Sequence, residues 1–196
     1  MDDVLEPRQD RSIDLAILGR SGRKLEASAP LARAGVRLMG VYLTWATEQF
    51  RACGVVAFYR GGWCPFCDLQ LRAYQNVLGE IRALGAELVA ISPQLPSYAE
   101  QDVEVKALTF PVAYDANNAV ARTFGLVFEL GPVLQQLQTG FGSIVLTFNG
   151  GEKRELPIPG TYVIDREGIV RLAHVDPNYT VRLEPTKILA TLRDLE

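Results

Sequence analysis

Cysteine is scarce in this sequence. Three in 196 residues cannot frame a disulfide scaffold, and a chain of this length does not need one to hold a core. Blocks of like charge are missing too: 20 basic against 23 acidic residues leave a net charge of −3 and a pI near 5.3. Nothing in that balance recommends nucleic acid or a membrane surface as a partner. There is no long hydrophobic run. The most apolar stretch, LMGVYLTWA at 38–46, is about half of the roughly 20 residues that cross a bilayer. The opening MDDVLEPRQD carries acids and no apolar segment of the secretory kind, so a cytoplasmic protein is expected. Internal repeats and low-complexity tracts are absent. With 48% hydrophobic and 22% charged residues, the composition excludes wholesale disorder and suits one domain over 1–196.

What is present becomes specific after residue 53. Upstream, residues 12–25 hold the turn signal GRSGR between loosely alternating segments and predict a hairpin. Residues 30–52 are less regular, with a helix expected over part of 40–51, so 1–53 reads as an extension. GVVAFY (54–59) is the short apolar run of a buried parallel strand. A helix follows, with Leu71, Tyr74, Val77 or Leu78, and Ile81 at helical spacing and Gly85 placed to end it. AELVAIS (86–92) predicts the next buried strand. SYAE (97–100) has the form of a capping box and predicts a helix over about 98–107. A strand at TFPVAY (109–114) and a short helix ending at Gly125 come next. Residues 126–157 read as an insertion in which 131–142 carries one helix and FNGGEK is a turn. GTYVID, REG and IVRLAHV form a hairpin. Pro185 starts a closing helix with Ile188, Leu189, Leu192 and Leu195 on its apolar face. The alternation predicts an α/β fold, a central mixed sheet with helices on both faces.

Cys64 and Cys67, in FYRGGWCPFCDLQ (58–70), fall where the first strong strand ends and its helix begins. Open α/β sheets place their sites there. A helix N-terminus presents free N–H groups and the positive end of its dipole, which favour thiolate over thiol and lower a cysteine pKa from about 8.5. Pro65 suits the first helical position, where no N–H is needed. Cys67 lies one turn on, on the same face and within reach of a disulfide. Exposure assigns the roles: Cys64, before the helix, attacks, and the more buried Cys67 resolves. Arg60 either adds positive potential or is a solvated loop charge; Trp63 either shields the sulfur or simply packs. The lone histidine, His174, reads as a partly exposed strand residue rather than a base. Cys53 reads as a core or loop thiol. Together with Cys64, Cys67 and His174 it would complete a zinc set. However, it lies at the other end of a strand roughly 20 Å long, so redox chemistry is favoured and no metal or cofactor is called for.

VVAFYRGGWCPFCDLQLRAYQ, GAELVAISPQ, FPVAYD, FGLVFEL and LPIPGTYVIDREGIVRLAHVDPNYTVRLEP resemble the peroxiredoxin-like branch of the alkyl hydroperoxide reductase/thiol-specific antioxidant family. The resemblance covers about 54–190 and implies a thioredoxin-like fold. It also implies a peroxidatic Cys64 that becomes a sulfenic acid, a Cys67 that condenses with it, and a thioredoxin-like dithiol as reductant. Position 61 is Gly where the family has Thr or Ser, and position 159 is Pro where it has Arg. Backbone N–H groups at Gly61–Cys64, and Arg60 or Arg182, are the candidates to stand in. The segment with Gly160 and Thr161 resembles the one that faces a thioredoxin active site, where the residue before the Thr is a proline. Three functions stay open: a thiol peroxidase acting on hydroperoxides, a protein-disulfide oxidoreductase using the same cysteines, and a non-enzymatic metal- or partner-binding module. Exposed strand edges and the insertion suggest a homodimer.

Overall fold

The computed structural model describes residues 15–18, 24–27, 53–133, 144–150 and 154–196. The helix expected within 40–51 and most of that expected over 131–142 lie outside them. The predicted N-terminal hairpin is present as β1 (Leu15–Leu18) and β2 (Lys24–Ala27), paired antiparallel. The apolar run after residue 52 forms β3 (Cys53–Phe58), buried at every position. Such a strand needs neighbours on both edges and cover on both faces. It pairs parallel with β4 (Ala86–Ser92) and antiparallel with β8 (Gly160–Ile164). With β5 (Val112–Asp115) and β9 (Val170–Val175), the described sheet runs β2-β1-β5-β4-β3-β8-β9. This is the expected mixed sheet, with the N-terminal hairpin added beside β5.

Helix α1 (Pro65–Ala83) begins directly beyond the loop that follows β3 and buries Cys67, Leu71, Tyr74, Leu78 and Ile81. Those positions recur every three or four residues, which puts them on one stripe. Gly85 follows with φ of 67°, the left-handed geometry that ends a helix at little cost to glycine. The closing helix α5 (Pro185–Arg193) lays Ile188, Leu189 and Leu192 on the same face of the sheet. Each such aliphatic side chain contributes on the order of 1.5–3 kcal/mol on full burial.

Two local expectations are corrected. Helix α2 (Pro96–Val105) starts at Pro96 with Leu95 as its cap, so Ser97 lies inside the first turn rather than at the capping position. Proline already supplies the first helical position without an orphan N–H, and the Leu95 N–H is held by the Phe148 carbonyl at 2.8 Å. Strand β5 starts at Val112 rather than 109, because Pro111 has no N–H to donate and offers only its carbonyl, to Ala90. On the opposite face lies the short helix α3 (Ala119–Thr123), where the Asp115 carboxylate accepts the Val120 and Ala121 N–H groups at 2.8 and 2.9 Å.

Within 126–157 the chain makes β6 (Val127–Glu129), α4 (Ile144–Asn149) and β7 (Glu155–Pro157), with β6 and β7 paired antiparallel. Their small core of Leu130, Val145 and Leu156 packs against Trp63. The segment read as an insertion therefore reaches the cysteine loop. Among the described residues, no helix is long and apolar enough to cross a membrane.

Candidate functional site

Cys64 is the N-cap of α1, with extended backbone (φ −90°, ψ 115°), and Pro65 takes the first helical position. The Cys64 carbonyl accepts the Asp68 N–H at 3.0 Å, and the Cys64 N–H donates to the Gly61 carbonyl at 3.1 Å. Both cysteines are free thiols. The expected difference in exposure is absent: Cys64 is 2% and Cys67 0% exposed. The direction of hydrogen bonding distinguishes them instead. The Cys67 thiol donates to Cys64, and this bond outweighs the opposing effect of burial. With the Cys67 backbone N–H and the charges of Arg60 and Arg182, it brings the Cys64 pKa down to about 6. Cys67 moves the other way. Its proton is held in the bond to Cys64, and burial and the facing anion raise its pKa further. Both effects favour a Cys64 thiolate beside a Cys67 thiol.

Behind Cys67 lies a connected polar cluster. Arg182 places one guanidinium nitrogen 3.4 Å from the Cys67 sulfur and donates from another to Gln70 Oε1 at 2.6 Å. Its Nε is anchored to the Tyr179 carbonyl at 2.7 Å. The Gln70 amide donates to the Tyr74 hydroxyl at 2.9 Å and to Thr161 Oγ1 at 3.3 Å. The two hydroxyls are 3.0 Å apart, and Tyr74 donates to the Leu183 carbonyl at 3.2 Å. Gln70, Tyr74 and Thr161 are all buried, and each finds partners here, which is the condition for keeping polar groups in a core.

On the outer side, the Arg60 guanidinium lies 4.4 Å from the ring centre of Tyr179 and 5.3 Å from that of Trp63. Phe66 meets the Tyr179 ring edge-on. Arg60 is therefore held between two aromatic faces rather than solvated. Gly61 has φ of 151°, and a β-carbon there would lie 2.2 Å from Trp63 Nε1 and 2.9 Å from Gln94 Oε1. The indole and the amide occupy the space a threonine side chain would need. Trp63 Nε1 and Arg60 Nε are buried donors that find no partner among the described residues.

The other sequence candidates separate. Thr161 joins the cluster, paired across the sheet with Ala57 and with His174. Gly160 pairs with Phe58, and a β-carbon on it would press within 3.2 Å of Val175. His174 is a half-buried residue of β9 whose Nε2 has no partner among the described residues. Cys53 opens β3 in the apolar core, while Cys64 follows the other end of that strand. Among the described residues no group of three or more His, Cys, Asp or Glu side chains is placed to hold a metal ion. Sequence reasoning missed Gln70, Tyr74 and Gln94. The available signal was a glutamine in register with the buried face of α1, one turn after Cys67.

Residues 43–173 match the model of the AhpC/TSA family. Peroxiredoxin Q of Populus jackii, a chloroplast protein, is 28% identical over 120 residues, covering 61% of this chain and 46% of that protein. The thiol-disulfide oxidoreductase ResA of Halalkalibacterium halodurans is 25% identical over 107 residues, covering 51% of this chain and 61% of that one. The chain thus spans about half the length of the curated relatives it matches. Among solved structures, peroxiredoxin Q of Xanthomonas campestris superposes with a TM-score of 0.62 at 16% identity, covering 93% of this chain and 90% of that one. Peroxidoxin BcpB of Mycobacterium tuberculosis superposes with 0.62 at 18%, covering 97% and 99%. At those identities the likeness is one of fold, and the fold is the thioredoxin-like one expected from the sequence.

Proposed function

The chain belongs to the AhpC/TSA family, and from that premise we propose that it is a thiol-dependent oxidoreductase that reduces hydroperoxides through a Cys64–Cys67 dithiol/disulfide cycle. The observation that carries this is the placement of the pair: Cys64 caps the N-terminus of α1 with Cys67 one turn on and Arg182 beside it, an arrangement that lowers the Cys64 pKa to about 6 and raises that of Cys67. The thiolate attacks one peroxide oxygen, so that an S–O bond forms as the O–O bond breaks. The alkoxide leaves and takes up a proton, giving alcohol or water and a Cys64 sulfenic acid. Cys67 then attacks the Cys64 sulfur; the S–S bond forms, the S–O bond breaks, and hydroxide leaves as water with the proton Cys67 gives up. An external dithiol of the thioredoxin kind reduces the disulfide and is itself oxidised.

Arg182 is suited to the second step, since its charge beside the Cys67 sulfur favours the thiolate that must attack. Arg60 and Trp63, whose buried donors near Gly61 find no partner among the described residues, are the groups we assign to the peroxide oxygens, in the role that a threonine at position 61 would otherwise take. The 2% exposure of Cys64 favours a small hydroperoxide over a folded protein's disulfide as the first oxidant. Reduced thioredoxin, supplied by its reductase and NADPH, is expected to be consumed in proportion to added hydrogen peroxide or an alkyl hydroperoxide. Rapid reduction of insulin disulfides without peroxide turnover would overturn the proposal in favour of a disulfide oxidoreductase.

A further inference from the structure

The loop before Cys64 is held from outside by three side chains on or next to α2. The Gly62 N–H donates to Gln94 Oε1 at 2.6 Å. The Gln94 amide nitrogen donates to Asp102 Oδ2 at 2.5 Å. Lys106 donates to Asp102 Oδ1 and lies 3.5 Å from Asp68 Oδ1, in the first turn of α1. The chain of contacts leaves the backbone two residues before Cys64 and returns four residues after it. Gln94 is 1% exposed and the Lys106 side chain 6%, while the Asp102 side chain is 23% exposed, so water competes least at the Gln94 links. The polarity of the glutamine is forced. An N–H on one side requires its oxygen, and a carboxylate on the other requires its NH2. Gly62 fits the same design, because a β-carbon there would lie 1.8 Å from Asp102 Oδ2.

We infer that Gln94, with Asp102 and Lys106 behind it, is a positioning residue for the attacking sulfur: it clamps the Gly61–Gly62 turn so that Arg60, Trp63 and the Cys64 N-cap keep their places around the thiolate. None of the three touches the sulfur. Their influence runs through the loop, whose Gly61 carbonyl holds the Cys64 N–H at 3.1 Å. The inference rests on Cys64 being the attacking residue, and it is separable from the nature of the oxidant.

The test reverses the polarity of one link. In Gln94→Glu, an oxygen still accepts the Gly62 N–H, but a second carboxylate now faces Asp102. In Gln94→Glu/Asp102→Asn the bond reforms with the donor on residue 102, and the net charge is that of the native protein. The rate of iodoacetamide labelling of Cys64 across pH, located by mass spectrometry on the reduced full chain, is the readout. Gln94→Glu should lose about tenfold of the native rate at pH 6, equivalent to raising a midpoint near 6 by about 1.3 pH units. The double variant should recover to within about threefold. Gln94→Met, which keeps the volume without the amide, should lose a similar factor and gain nothing from Asp102→Asn. Native labelling in folded Gln94→Glu, or a folded double variant no better than the single one, would overturn the inference. If Gln94→Glu fails to fold, Gln94→Met with the native rate and midpoint overturns it alone. Cys64→Ser, labelled in parallel, reports separately on the attacking residue: an unchanged total rate there would remove the premise rather than the clamp.

Discussion

The two faces of the central sheet are packed by different rules. Under α1 and α5, the apolar core of Val55, Ala57, Leu71, Leu78, Ile188 and Leu192 also takes in Cys64, Cys67 and Tyr74, with buried Gln70 and Thr161 bonded among them. Under α3, Val56, Phe58, Ile91 and Ile164 meet Val120, Ala121 and Leu126, with the rings of Phe58, Phe124 and Tyr162 stacked at tilted or edge-on angles. Polar groups survive in the first core because each has a partner there, and because the helix that covers it starts at the site. On the second face the buried Asp115 carboxylate serves only to hold the α3 N–H groups, and the core otherwise keeps to area burial and ring contacts. Alternate residues of β3 divide between the two cores, so one strand serves stability on one side and chemistry on the other.

If the division holds, substitutions on the two faces should fail in different ways. The largest effect belongs to Cys64→Ser, which should abolish peroxide-dependent thioredoxin oxidation while the urea midpoint stays near the native one. Residual turnover above a few per cent would move the nucleophile elsewhere. Phe58→Ala should cost about 3–5 kcal/mol in urea denaturation and leave the pH midpoint of Cys64 labelling near 6 in the folded protein. A shifted midpoint there would mean that the two faces are coupled.

Cys67→Ala removes the leading cause of the low Cys64 pKa. The thiolate is the form lost as pH falls through the midpoint, so a raised midpoint should cut labelling at pH 6 by roughly tenfold. Peroxide treatment of this variant should leave a sulfenic acid at Cys64, detected with a dimedone probe; a sulfenic acid absent there would exchange the assigned roles. Arg182→Met should act least on Cys64, slowing its labelling at pH 6 by about threefold, since Arg182 is the smallest contributor to the lowered pKa. It should act more on the second step, seen as slower disulfide formation after a peroxide pulse in stopped-flow fluorescence. Equal effects on both steps would argue against a special relation between Arg182 and Cys67.

Much of this architecture was legible along the chain because it is local. The stripe from Leu71 to Ile81, Pro65 at the first helical position, Gly85 at the end of α1 and the β8–β9 hairpin are set by spacing of a few residues. The capping box at Ser97 misled because Pro96 offered a competing helix start, and Phe148, far along the chain, held Leu95. The roles proposed for the two cysteines do not rest on the exposure difference that spacing suggests. Exposure does not separate them; the shared proton does.

The sequence by itself determined where the cysteine pair stands: at the end of a buried strand, on the first turn of an amphipathic helix, where free N–H groups favour a thiolate. Only the tertiary structure decided what surrounds it. Arg182 comes to Cys67 across 115 residues, Gln94 to Gly62 across 32, and Thr161 to Gln70 across 91. The physical reason lies in the range of the forces. Helix periodicity and dipole act within a turn or two and leave a mark in spacing. A buried polar cluster is assembled by whichever distant groups can satisfy one another once the sheet has closed, and it leaves no mark until it does.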